Sequence, residues 1–140
     1  EDEVHWDSGD CPSECTGGCT ETQCTVDCAG KDKCKDKTLN CPDGWQCIVD
    51  CDGEAACNDS TIYCPTDNVC EILCPQKDSC KNAEMNCPST ASCELSCTGE
   101  ASCQDGTLEC GDKACTTTCS GEDSSPTVNC NSSCDCQDGC

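Results

Sequence analysis

Cysteine, at 25 of 140 residues, is the residue type in this chain most able to do chemistry. As free thiolates these side chains would hold soft metal ions, and as disulfides they would hold a fold. Metal-thiolate clusters draw on dense Cys-x-Cys and Cys-x-x-Cys runs, but the only Cys-x-Cys here is Cys134-Asp135-Cys136. The other spacings are wide and regular, which favours disulfides. Acids form a second candidate ligand set: Asp27, Asp50, Asp52, Glu54, Glu71, Glu94 and Glu100 recur near one part of the sequence pattern. Their hard oxygens suit Ca²⁺. No Asp-x-Asp-x-Asp-Gly loop accompanies them, so the expectation is weak Ca²⁺ or mineral binding through acidic faces, with no other cofactor. For catalysis the chain offers one histidine, His5, and no glycine-rich phosphate loop or carboxylate pair in an apolar setting. It reads as no enzyme.

The elements that must position these side chains follow from their phase. Four cysteines, a, b, c and d, recur at Cys24/Cys28/Cys34/Cys41, Cys47/Cys51/Cys57/Cys64, Cys70/Cys74/Cys80/Cys87 and Cys93/Cys97/Cys103/Cys110. A fifth cycle keeps a, b and d at Cys115, Cys119 and Cys130 and lacks c. A fixed period of about 23 residues is the signature of stacked supersecondary units. Between a and b the middle residue is Val26, Val49, Ile72, Leu95 and then Thr117, an alternation that reads as a strand with one buried face. A second strand ends at d, where Leu39, Ile62, Met85, Leu108 and Val128 each stand two residues before the cysteine. Gly30, Gly53, Gly99 and Gly121 follow b by two residues, with Gln76 the exception. They are expected to supply positive φ at that corner. Pro42, Pro65 and Pro88, then Gly111, follow d and mark another corner. The small residue before c, Ala56, Ser79 or Ser102, lies on a short third side.

The sum is an all-β chain, a disulfide-stapled parallel β-solenoid (β-helix) of about five three-sided coils of 23 residues, of either hand, with irregular caps. Residues 1–23 form an N-terminal arm and capping coil, 24–130 the repeats, and 131–140 a cysteine-rich C-terminal cap. Trp6 of the arm is expected to pack over the first coil. In the cap, Cys11 fits phase c and Cys19 phase d, and Cys15 is extra. An odd cysteine count leaves one thiol over, and Cys15 is the candidate for an unpaired or interchain cysteine, along with the irregular coil around Cys115 and Cys130. Cysteines of one coil can bridge to each other or to neighbouring coils, and spacing alone permits both.

Composition agrees with a covalently braced fold. There is no Phe, one Met, one Tyr and two Trp, so the aliphatic core is sparse. Bridges at about 2–4 kcal/mol each would outweigh it. Disulfides at this density imply an oxidising compartment, and the chain is expected to be secreted and extracellular. No apolar run reaches the length of a membrane span. A net charge of -21 argues against nucleic acid as a partner. The charge is uneven: Lys31, Lys33, Lys35 and Lys37 crowd the first coil, whereas Lys113 is the only basic residue after Asn82. A basic front and an acidic rear could steer head-to-tail self-association.

Outward positions of the d strand place Thr38, Thr61, Glu84, Thr107 and Thr127 in one column and Asn40, Tyr63, Asn86, Glu109 and Asn129 in the next. Such columns are similar to the ice-binding faces of insect antifreeze proteins, interrupted here by Glu84 and Glu109, and ice binding through Thr38, Thr61, Thr107 and Thr127 is one alternative function. Asn58-Asp59-Ser60 and Asn131-Ser132-Ser133 are N-glycosylation sequons. The full motif, Cys-x-aliphatic-x-Cys-x-Gly-x-x-[Ala/Ser]-Cys followed by Thr-aliphatic-x-Cys-Pro, resembles cysteine-rich repeats of secreted proteins of unicellular algae and other protists. That resemblance implies cell-surface or fibrous extracellular material. The leading expectation is a rigid structural rod or fibre subunit that stacks coil end to coil end, on itself or on other extracellular matrix or surface proteins.

Overall fold

The computed structural model describes residues 11–20, 22–131, 133 and 135–139. Among them there is no helix. Strands β1 (Gln23–Asp27), β3 (Gln46–Asp50), β5 (Cys70–Cys74), β7 (Cys93–Cys97), β9 (Cys115–Cys119) and β11 (Cys136–Gly139) form one parallel sheet in that order. Strands β2 (Thr38–Asn40), β4 (Thr61–Tyr63), β6 (Glu84–Asn86), β8 (Thr107–Glu109) and β10 (Thr127–Asn129) form the second. The chain alternates between the sheets, so each pair of strands is one coil of a parallel β-solenoid.

Register follows the repeat. Cys24 aligns with Cys47, Cys47 with Cys70, Cys70 with Cys93 and Cys93 with Cys115. Two aliphatic columns face the lumen, Val26-Val49-Ile72-Leu95 from the first sheet and Leu39-Ile62-Met85-Leu108 from the second, and all eight are buried. Thr117 ends the first column in the fifth coil and is buried too. Between the columns the lumen is filled with cysteine.

The third side is a ribbon of overlapping turns. In the first coil the N–H groups of Lys33, Lys35 and Lys37 close turns onto the carbonyls of Gly30, Asp32 and Cys34. The alternate N–H groups, of Asp32, Cys34 and Asp36, donate across to Glu54, Ala56 and Asn58 of the second coil. Ala55, Cys57 and Asp59 likewise donate to Lys77, Ser79 and Lys81, and Asp78, Cys80 and Asn82 to Glu100, Ser102 and Gln104. These bonds run one way: each coil donates to the coil that follows it.

This ribbon corrects the expected role of the corner glycines. Of the four, only Gly30 has a positive φ, +141°. The left-handed positions fall further along the ribbon, on Asp32 and Asp36, Ala55 and Asp59, Asp78 and Asn82, and Ala101 and Asp105. Asp and Asn tolerate that conformation because their short side chains bond locally. Gly53, Gly99 and Gly121 serve a different need. A Cβ on any of them would lie far inside contact distance of the backbone of Gly30, Gln76 or Gly99, respectively, one coil earlier.

The amino-terminal cap also departs from expectation. Residues 16–20 do not continue the repeat across the second sheet but fold back along the outer edge of β1. Thr25 donates to Gly18, Gly17 donates to Thr25, and Cys19 faces Cys24 in an antiparallel bridge. The irregular cysteine spacing serves this reversal. Cys19 bonds Cys11, and Cys15 bonds Cys24. Cys15 is therefore neither unpaired nor interchain: it is buried, and it pairs with the a cysteine of the first coil because Cys19, the d-phase cysteine before it, is bonded to Cys11. The expected packing of Trp6 lies outside the described residues.

Candidate functional site: faces and ends of the solenoid

The cysteines divide into two corner sets. Within a coil b bonds c, in Cys28–Cys34, Cys51–Cys57, Cys74–Cys80 and Cys97–Cys103. Between coils d bonds the next a, in Cys41–Cys47, Cys64–Cys70, Cys87–Cys93, Cys110–Cys115 and Cys130–Cys136. Every one of these bridges closes the turn it spans, with sequence separations of 6, or of 5 for Cys110–Cys115. Cys115 and Cys130 are thus ordinary members of the second set, and Cys119 is disulfide-bonded as well. All described cysteines are bonded, so the odd one lies outside the described residues. Sulfur triplets such as Cys51, Cys57 and Cys80 lie within 4.8 Å of one another but are disulfide sulfurs. As such they offer no thiolate to a metal.

The acids expected to form a cation site are spread over three places. Asp27 and Asp50 are neighbours on the outer face of the first sheet, and Leu73 follows them in the column. Glu71 and Glu94 are neighbours in another column. Glu54 and Glu100 sit on the turn side, separated by Lys77. Several of these carboxylates already have partners. Asp27 accepts the Ala29 N–H and the Lys33 ammonium at 3.1 Å. The backbone N–H first, and Lys33 after it, hold its carboxyl below the usual range. Asp52 accepts the Gln76 amide at 2.9 Å. Among the described residues no such cation pairs with Asp50: burial, then the charges of Asp52 and Asp27, push its pKa up.

The second sheet does align the threonines. Thr38, Thr61, Glu84, Thr107 and Thr127 are consecutive partners, and so are Asn40, Tyr63, Asn86, Glu109 and Asn129. Glu84 stands exposed in the first column, and Tyr63, 45% exposed, projects from the second. Glu109 is tied down: its two carboxylate oxygens accept the Asn129 and Asn131 amides at 2.7 and 3.2 Å. Asn131 also donates to the carbonyls of Cys110 and Asn129. Its side chain is committed to the fold, a role its sequon did not signal. In the other sequon, Asn58 lies on the turn side and the Ser60 hydroxyl is buried on the Cys57 carbonyl.

The ends differ from the faces. On the first sheet β1 is covered by residues 16–20 and β9 by β11. Among the described residues the second sheet carries no such cover, and β2 and β10 are its outermost strands. Above β2 lies a groove of about 320 Å³, floored by Val26, Cys34 and Leu39. The turn side ends with opposite polarity: by the repeat, the carbonyls of Lys31, Lys33 and Lys35 point out of the amino-terminal end. The N–H of Asp123, which takes the place of Ala101, points out of the other. Sequence reasoning found the lysine cluster but not the carbonyls it surrounds. No protein-family model matches the chain, and no curated protein or solved structure does either.

Proposed function

We propose that this chain is an extracellular structural protein, a rigid rod-like module or fibre subunit that associates coil end to coil end. The observation that carries the reading is the turn-side ladder in which Asp32 to Asp36, Ala55 to Asp59 and Asp78 to Asn82 donate to the following coil; by the repeat it directs the carbonyls of Lys31, Lys33 and Lys35 toward the lysine-rich end and the Asp123 N–H toward the other. Two such ends are unlike and complementary, the condition for open head-to-tail growth. Disulfides at two of the three corners support the same reading, since they stiffen the rod and require an oxidising compartment. Covers on the first sheet at both ends limit flush contact there, so association involves the open side of each end. Electron microscopy and sedimentation of concentrated native protein test this. Linear head-to-tail particles that lengthen with concentration are expected, and short single particles at all concentrations, with no interchain disulfide on non-reducing gels, would refute it.

A second reading is supported by the aligned threonine column of the second sheet. Ice binding there predicts thermal hysteresis that is lost in Thr61→Tyr or Thr107→Tyr, and native protein without hysteresis or ice shaping removes the reading. For calcium, a melting shift between Ca²⁺ and chelator is the corresponding test, and the division of the acids over three places argues for a small one.

A further inference from the structure

The two glycosylation sequons stand in unlike surroundings. In the last coil the Asn131 backbone is left-handed, at φ +49°, and its side-chain nitrogen Nδ2 donates among three acceptors. These are the Cys110 carbonyl at 3.0 Å, the Asn129 carbonyl at 3.2 Å and a Glu109 carboxylate oxygen at 3.2 Å. Glu109 and Cys110 belong to the fourth coil, so this one side chain ties the fifth coil to the coil before it. Ser133 of the same sequon donates its hydroxyl to the Lys113 carbonyl at 2.8 Å. Asn58 differs. It stands half-buried on the turn side of the second coil, where its backbone serves the ribbon: its N–H donates to Ala55 and its carbonyl accepts from Asp36. None of the described residues holds its side-chain amide in a hydrogen bond.

We propose that the folded protein carries an N-linked glycan on Asn58 and leaves Asn131 unmodified. The inference rests on the extracellular reading, because a sequon is modified in secreted chains. In the transfer, Nδ2 displaces the pyrophosphate of a lipid-linked oligosaccharide. The bond from sugar C1 to the phosphate oxygen breaks, the C1–Nδ2 bond forms, one amide proton is lost and the lipid pyrophosphate departs. Nδ2 keeps one hydrogen and gains a bulky substituent. At Asn131 that substituent would compete for space with Glu109 and the two carbonyls, and three acceptors would face a single hydrogen. A chain modified there cannot close its last coil in the observed way. At Asn58 no bond is lost. By the repeat, Lys35, Lys81 and Gln104 take the same position in the other coils, Lys35 exposed and the other two half-buried. The column thus admits long side chains that reach solvent, and a sugar on Asn58 takes the same course. Ser60 of this sequon is buried, its hydroxyl on the Cys57 carbonyl at 2.7 Å. Both sequon hydroxyls are therefore engaged in the folded protein, so sugar is added before the turns close and the fold then selects the chains that can form. A glycan on Asn58 covers the turn side between Lys35 and Lys81 and leaves the outer faces of both sheets and the two ends clear.

Peptide mapping of native protein recovered from outside the cell, before and after enzymatic release of N-glycans, tests the proposal. Release should convert Asn58 to an aspartate and leave Asn131 an asparagine. Asn58→Gln should lose the mass of the whole N-glycan and keep the circular dichroism spectrum of the native chain. Disulfide-bonded extracellular protein with an unmodified Asn58 would overturn the proposal while leaving the extracellular reading in place. A glycan on Asn131 of the folded chain would overturn it equally. Protein retained inside the cell with cysteines open to alkylation would overturn the extracellular reading and this proposal with it.

Discussion

Close backbone approach between coils decides which residues the corners accept. At Gly99 a Cβ would strike the backbone of Gln76, and backbone cannot rotate away as a side chain can. Gly99→Ala is expected to destabilise by about 1–3 kcal/mol, the range for overpacking, read as a lower midpoint in denaturant melts. Asp50 gives a charge counterpart. Its pKa is raised by burial and by Asp52 and Asp27, so folding favours its protonated form. That favourable contribution is present at low pH and is lost as pH rises through the folded pKa. Asp27, with its carboxyl held low, behaves oppositely and loses its contribution as pH falls through its folded pKa. Asp50→Asn should therefore raise the melting temperature at pH 7 and bring little or no gain below about pH 4, where carboxylates protonate anyway. Equal gains at both pH values would show that the charge is not the cause. The glycine positions were legible in the sequence, but their reason was not: a single coil shows a turn, and only stacking shows the collision.

At the level of the coil, the disulfides work locally. The bridge Cys74–Cys80 closes a corner of the third coil with a sequence separation of 6. Short loops give the smaller entropic contributions, about 2 kcal/mol. Replacing both Cys74 and Cys80 with Ala is expected to cost about that much and to raise hydrogen exchange most in residues 75–82 and their partners on adjacent coils. Collapse of the whole chain would mean that the corners are not independent. The strands, corners and inward aliphatics were readable because alternation and period are properties of one dimension. The pairing was not, since a cysteine facing the lumen lies near sulfurs of its own coil and of the next, as Cys51, Cys57 and Cys80 do. Nor was the reversal at residues 16–20, where Cys19 and Cys24 kept nearly the spacing of a d-to-a pair and yet bond Cys11 and Cys15.

Across the molecule, each coil touches only its neighbours, so stability is close to a sum over coils and their interfaces. Deleting residues 70–92, one full period, joins Cys64 to Cys93 in the same phase and should leave a folded, shorter solenoid with an unchanged circular dichroism shape. A chain that fails to fold after this deletion would show that the coils are not equivalent units. The functional reading belongs to this scale too, because it rests on the two ends and not on any one side chain. It stands on the coil architecture, and that architecture is tested most directly by mapping disulfides in non-reduced peptides of native protein. The account predicts corner links, Cys51 with Cys57, Cys64 with Cys70 and Cys87 with Cys93. Links that run along the axis, such as Cys51 with Cys74 or Cys57 with Cys80, would contradict it.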